Sequence, residues 1–448
     1  MKKKQVYILL IVVFAVAVIA IVYNYTKKQK EKEIAVYELL ERKGAAAQTK
    51  EWLLVKKRAT ELAAALKLNP TDYKSSLKLA SLFIQEARET GNYVYYDMAA
   101  MRQINTILKD EPSNFDALVF KALIQMSQHH FSDGLATADI ARKINPYNGY
   151  VYGLLVDGNV EMGNYDSAVV YADKMVSVRP DLTSYSRVSY LREIYGDYTG
   201  SIKAMKMAVE TGGAGDEHTE WTRVQLASLY EKIGDFNKAD TLYQYALTLR
   251  PSYPYALAGL GRVALAKNDY KNAITYFEQA DSLITDNSFK EELVDIYRLA
   301  GNTKKADDMA KAVIDDLSKN AQAGINDENI GHYADKELAF AYLKVGNTDK
   351  ALEHAMLEYN RRPENIDVNE AVAWVYYKKG DAAKALPYIK AALKTNSKNP
   401  VLLSRAGLIY NKTGDKTMAK TMLQQATTTN AFIDNTLRTE TAEVLKTL

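Results

Sequence analysis

Apolar residues return every third or fourth position through most of this chain, and no sustained alternation of apolar and polar residues interrupts them, so the pattern predicts helix after helix and no sheet. One stretch shows the unit. Residues 220–234 place Leu226, Ala227 and Tyr230 at i, i+1 and i+4, a single apolar stripe, and residues 237–250 answer with Ala239, Tyr243 and Ala246. Between them Gly234 supplies a left-handed residue that ends the first helix, Asp235 can cap the second, and Pro251 stops it. The small Ala239 lets the two helices approach closely. The unit is a helical hairpin.

The hairpin recurs. A Gly-Asp/Asn-x-x-x-Ala motif stands at Gly163 to Ala168, Gly234 to Ala239, Gly301 to Ala306, Gly346 to Ala351, Gly380 to Ala385 and Gly414 to Ala419. Weaker copies put the same small residue at Ala100, Gly134, Ser201 and Ala273, and the ten marks are separated in order by 34, 34, 33, 38, 34, 33, 45, 34 and 34 residues. Self-similarity at this period over residues 48–431 resembles the tetratricopeptide repeat (TPR) superfamily. That resemblance implies an all-α, right-handed superhelical solenoid of about ten hairpins, each lending its first helix to one concave surface. The long 38- and 45-residue steps read as loop insertions at residues 212–215 and 319–331, and residues 87–96 as part of an elongated first-repeat helix.

The ends carry different signals. Three lysines precede an unbroken apolar run over residues 6–23, about 27 Å long as a helix and just sufficient to cross a bilayer. This predicts a basic tail (1–5), a transmembrane helix (6–23), a helical linker (24–69) with helices at 31–42 and 51–68, the solenoid (70–431) and a capping helix (432–448). A cleaved signal peptide is the competing reading, because Ala15-Val16-Ala17 has the small-x-small form, but the apolar run continues beyond it. The lysines that follow the span would hold the body in the cytoplasm by count; a short basic tail before an apolar run is how export signals begin, and we expect a single-pass membrane protein with an extracytoplasmic body.

Composition narrows the functional classes. A net charge of +3 over 448 residues, without a long basic block beyond the N-terminus, argues against nucleic acid. The absence of cysteine removes disulfides, thiolate metal sites and thiol nucleophiles, as well as lipoprotein acylation. None of His129, His130, His218, His332 and His354 forms a zinc-hydrolase pairing; His129 and His130 sit where other repeats have Gly and Asp or Asn. The reading is therefore of a protein that is not an enzyme and uses no cofactor or metal. It holds a protein or peptide ligand and meets the membrane through its N-terminal helix.

TPR resemblance also implies which positions face the groove, namely the second, fifth, ninth and twelfth of each repeat. Transferred here, these are Tyr150, Asp157, Tyr190, Glu193, Trp221, Glu231, Tyr255 and Arg262, with Tyr333, Phe340, Trp374 and Tyr377 in later repeats. Aromatic surface offers contact area at low entropic cost, and charges fix orientation. A carbohydrate or other envelope polymer is the alternative ligand for such a surface. The carboxylate clamp of chaperone-binding TPR proteins resembles a Lys at the fifth position with an Asn at the ninth; here Lys336 is followed by Phe340, which argues against that use.

Overall fold

The computed structural model describes residues 12–25, 37–326, 331–430 and 435–448. Ten helical hairpins follow one another: Tyr73–Thr90 with Tyr93–Asp110, Phe115–Ser127 with Phe131–Ile144, Gly149–Glu161 with Tyr165–Val178, Leu182–Ile194 with Tyr198–Glu210, and Glu217–Lys232 with Phe236–Leu249. Then come Pro254–Ala266 with Tyr270–Leu283, Asn287–Leu299 with Thr303–Asn326, Asp335–Lys344 with Thr348–Arg361, Ile366–Lys378 with Ala382–Ala392, and Pro400–Lys412 with Lys416–Thr429. We number them hairpins 1 to 10. Among the described residues there is no strand.

The turn chemistry works as the sequence implies. Gly163, Gly234, Gly346 and Gly380 all have φ between 72° and 85°, and His129 takes the same left-handed conformation at 62°. Asp197, Asp235, Asn347, Asp381 and Asp415 each accept a hydrogen bond from the backbone N–H three residues on, capping the second helix. All ten small-residue marks are buried, each on the face of a second helix that meets its own first helix.

The two helices of a hairpin do different work. Gly149–Glu161 buries ten of its thirteen residues, whereas Tyr165–Val178 buries four of fourteen. First helices are sandwiched because they pack on the first helices of neighbouring hairpins as well as on their own partner; second helices form an outer layer with one face in solvent.

Several expectations need correction. The 319–331 segment is not a loop throughout: the second helix of hairpin 7 runs Thr303–Asn326, carried by the buried stripe Ala306, Ala310, Val313 and Leu317, and residues 327–330 lie outside the described set. The 38-residue step contains a turn at 211–216, and the first helix of hairpin 5 is also lengthened to sixteen residues. Residues 87–96 hold the turn of hairpin 1, with Gly91 at φ 72°, between two eighteen-residue helices.

Of the helix expected at 31–42, the described residues 37–42 form no helix. Their backbone bonds to side chains instead, Tyr95 Oη donating to the Glu38 carbonyl at 2.7 Å and Leu40 N to Tyr96 Oη at 2.9 Å. Lys50–Leu68 is helical, and Asn435–Leu445 buries Leu437 against hairpins 9 and 10.

Of the expected span, residues 6–11 lie outside the described set, as does the tail at 1–5. Residues 12–25 are helical with every side chain exposed. Among the described residues no helix is long and apolar enough to cross a membrane.

Candidate functional site

The superhelix closes on itself. Within-hairpin turns of hairpins 1 to 5 rest on the loops that lie about 200 residues later, so successive superhelical turns touch along a continuous seam. Thr285 N donates to the Thr90 carbonyl at 3.0 Å, and Tyr333 N to the Gln128 carbonyl at 3.1 Å. Asn365 Nδ2 donates to the Glu161 carbonyl at 3.0 Å, Ile366 N to Tyr165 Oη at 2.9 Å, and Asn430 Nδ2 to the Glu231 carbonyl at 2.9 Å. Apart from the Tyr165 hydroxyl, the acceptors are backbone carbonyls at the ends of first helices, where the helix leaves carbonyls with hydrogen-bonding capacity to spare.

Charge reinforces the seam. Arg362, 4% exposed, bridges Glu358 on its own hairpin at 2.5 Å and Glu161 across the seam. His129 and His130 meet the loop before hairpin 8, with His129 Nδ1 at 2.9 Å from the Tyr333 carbonyl and the His130 ring stacked on Tyr333. Burial, helped by nearby His129, holds His332 well below its ordinary value, at about 4.

Closure encloses a lumen. Between hairpins 1 to 3 and the turn above them lies a cavity of about 1310 Å³, walled by Tyr93, Met98, Phe120, Tyr150 and Leu317 among others, with a fringe of carboxylates. A smaller cavity of about 350 Å³ sits where the 41–51 segment meets hairpins 1 and 6; there burial raises Glu89 to about 7 although Arg250 is 3.0 Å away.

The groove positions divide into three groups. Tyr150 and Asp157 line the large cavity, and Tyr255 the small one. Tyr190 lines neither cavity and keeps 42% of its surface open to solvent, while burial among surrounding protein raises its hydroxyl pKa. Trp221 is half-buried under the Arg88 guanidinium, 6.0 Å from the ring, and Trp374 is buried, stacked on Tyr377, with Arg405 5.0 Å from its ring and also facing Phe340. Trp374 therefore packs between hairpins 8 and 10 rather than offering its face to a ligand.

The charged positions are already paired. Asp157 binds Arg187 at 2.6 Å, Glu193 binds Lys232 at 2.5 Å, and Glu231 binds Arg262 at 3.0 Å. Each pair joins the first helices of consecutive hairpins, and Glu370 with Arg405 at 2.9 Å continues the ladder. The sequence contains the signal, opposite charges about one repeat apart, but reading each position alone misses it. The seam histidines were likewise legible only as turn residues.

Among the described residues no group of three or more His, Cys, Asp or Glu could hold a metal ion.

Family profiles described as Tetratricopeptide repeat match residues 224–288 and 402–431, hairpins 5 to 6 and 10 of the observed array. The chain contains tetratricopeptide repeats at these residues. Among curated proteins none matches this chain. Solved structures similar to it include the APC/C hetero-tetramer Cut9-Hcn1, at 14% identity and a TM-score of 0.41 over 89% of this chain and 73% of that one. Another is a tetratricopeptide repeat protein from Parabacteroides merdae, at 16% identity and a TM-score of 0.35 over 59% and 97%. PilW, a type IV pilus biogenesis factor, is similar at 16% identity and a TM-score of 0.37 over 44% and 91%.

Proposed function

We propose that this TPR protein is a scaffold that receives a segment of another protein in its lumen while residues 6–23 tether it to a membrane, with the body on the extracytoplasmic side. The observation that carries the reading is the lumen itself: a cavity of about 1310 Å³ walled by aromatic and aliphatic side chains on helices fixed by the ladder of ion pairs. A rigid, pre-formed apolar wall lowers the ordering cost of binding, which is what a segment-holding site needs. The site is narrower in membership than the register of the repeat implies: Tyr150 and Asp157 line the lumen, Tyr255 the smaller cavity, and Trp374 and the paired charges pack between helices.

Photo-crosslinking in cells tests it. Benzoylphenylalanine in place of Tyr150, inside the lumen, should trap a protein, and the same residue in place of Tyr147, 80% exposed on the outer rim, should not. Trapping at the rim alone would move the site off the lumen.

A further inference from the structure

The lumen has a polarity that the groove register does not reveal. Six carboxylates line the large cavity: Asp97, Asp157, Glu161, Asp286, Glu291 and Glu337. Asp157 and Glu161 are neutralised by Arg187 and Arg362. The other four have no cation within ion-pairing distance among the described residues. The wall holds a single Arg, Arg88, which is already bound to Glu217 at 3.0 Å, and no Lys.

One of the four is poorly accommodated by the protein alone. Asp97 is 3% exposed, and its side-chain partner is one neutral hydroxyl, Ser127 Oγ at 2.9 Å. Glu337 Oε2 is sealed from solvent with no hydrogen-bond partner. Burial raises both Asp97 and Glu291 to about 7; for Glu291 the nearby Lys344, which donates to its backbone carbonyl at 2.9 Å and binds Asp295, opposes the effect, and Glu337, Glu292 and Asp286 add to it. Burial pushes Glu337 the same way, but His129 and Lys336 outweigh it. Unpaired carboxylates in low dielectric are costly, and a cation delivered among them recovers that cost on binding.

We infer that the segment held in the lumen is basic: an apolar or aromatic stretch bearing Lys or Arg side chains that pair with Asp97 and Glu291. Complementary charge in a cavity with apolar walls selects such a segment over a neutral or acidic one through the field of the whole wall. The inference rests on the proposed role of the lumen as a segment-binding site. Its polarity is opposite to that of the carboxylate clamp considered above.

The test is a display selection of random twelve-residue peptides on the full-length chain in detergent, followed by affinity measurement of the selected peptides. Enrichment of Lys and Arg is expected, with Asp97→Asn and Glu291→Gln each weakening the selected peptides by at least about tenfold and Glu353→Gln, on the outer surface, leaving them unchanged. Both lumen changes are isosteric and remove an unpaired charge, so both variants should unfold at or above the wild-type denaturant concentration at pH 8, a check that they remain folded. Selection of neutral or acidic peptides that compete for the lumen would overturn the charge inference while leaving segment binding intact. Selection of basic peptides indifferent to both variants would overturn the site, and selection of no peptide at all would remove the segment-binding reading itself.

Discussion

Gly163 and Gly380 occupy the same place in the repeat, in hairpins 3 and 9, with φ of 81° and 85°. They differ in what lies above them. A Cβ added at Gly163 would stand 2.3 Å from the Glu364 carbonyl carbon and oxygen, whereas one at Gly380 meets nothing within 4 Å. Replacing either by alanine carries the same penalty for a left-handed residue, about 1–2 kcal/mol. Only Gly163→Ala also forces the seam apart, because backbone cannot yield as a flexible side chain would, and overpacking of this kind costs about 1–3 kcal/mol more.

The assay is hydrogen exchange of the peptide covering residues 362–368, whose Ile366 N–H is held by Tyr165 Oη across the seam, run beside urea unfolding of both variants. Faster exchange there in Gly163→Ala, with Gly380→Ala close to wild type in that peptide, is the expected result. Equal exchange and equal midpoints in the two variants would refute the seam as a contact that carries stability.

Other consequences are open to measurement. Arg362→Ala leaves Glu358, 3% exposed, with Arg361 as its remaining partner and should cost about 3 kcal/mol in denaturant unfolding. His332 is held neutral, with its pKa in the folded chain below its ordinary value of 6.5, so its contribution to stability is complete above pH 6.5 and is lost as the pH falls from 6.5 towards 4; His332→Asn should flatten the stability-pH profile in that window. Asp97 titrates with the opposite sign, its folded pKa of about 7 lying above the ordinary 3.8, so Asp97→Asn should match wild type below pH 4 and exceed it increasingly up to pH 7. Gly213, exposed in the turn before hairpin 5, accepts a cysteine without steric conflict in a chain that has none. Gly213→Cys should react with an impermeant maleimide in cells with a permeabilised outer envelope, and protection until lysis would place the body in the cytoplasm.

The hairpins were legible because each is specified locally: a stripe, a left-handed glycine, a capping Asp or Asn and a small residue, all within about one repeat. The extension of the second helix in hairpin 7 was legible too, in Ala306, Ala310, Val313 and Leu317, but the unusual step length drew attention to a loop. Groove positions were half legible. Register placed Asp157, Glu193 and Glu231 on first helices, where they are, but whether a charge there serves a ligand or a neighbour depends on the residue one repeat away. The seam was not legible at all. Most of its acceptors are backbone carbonyls, which every sequence has, and donors such as Thr285, Asn365 and Asn430 are ordinary loop residues; only the pitch of the superhelix brings them together.

That seam changes what kind of object the array is mechanically. A plain solenoid is a spring: neighbouring units shift slightly, and the whole stretches and recoils without any bond being broken. Here the coils are stitched, from Thr90 and Thr285 at one end to Glu231 and Asn430 at the other. Tension applied between the two ends of the chain must shear those stitches before any coil can extend. Below that threshold the molecule behaves as a short stiff tube, and above it the tube gives way to a compliant spring.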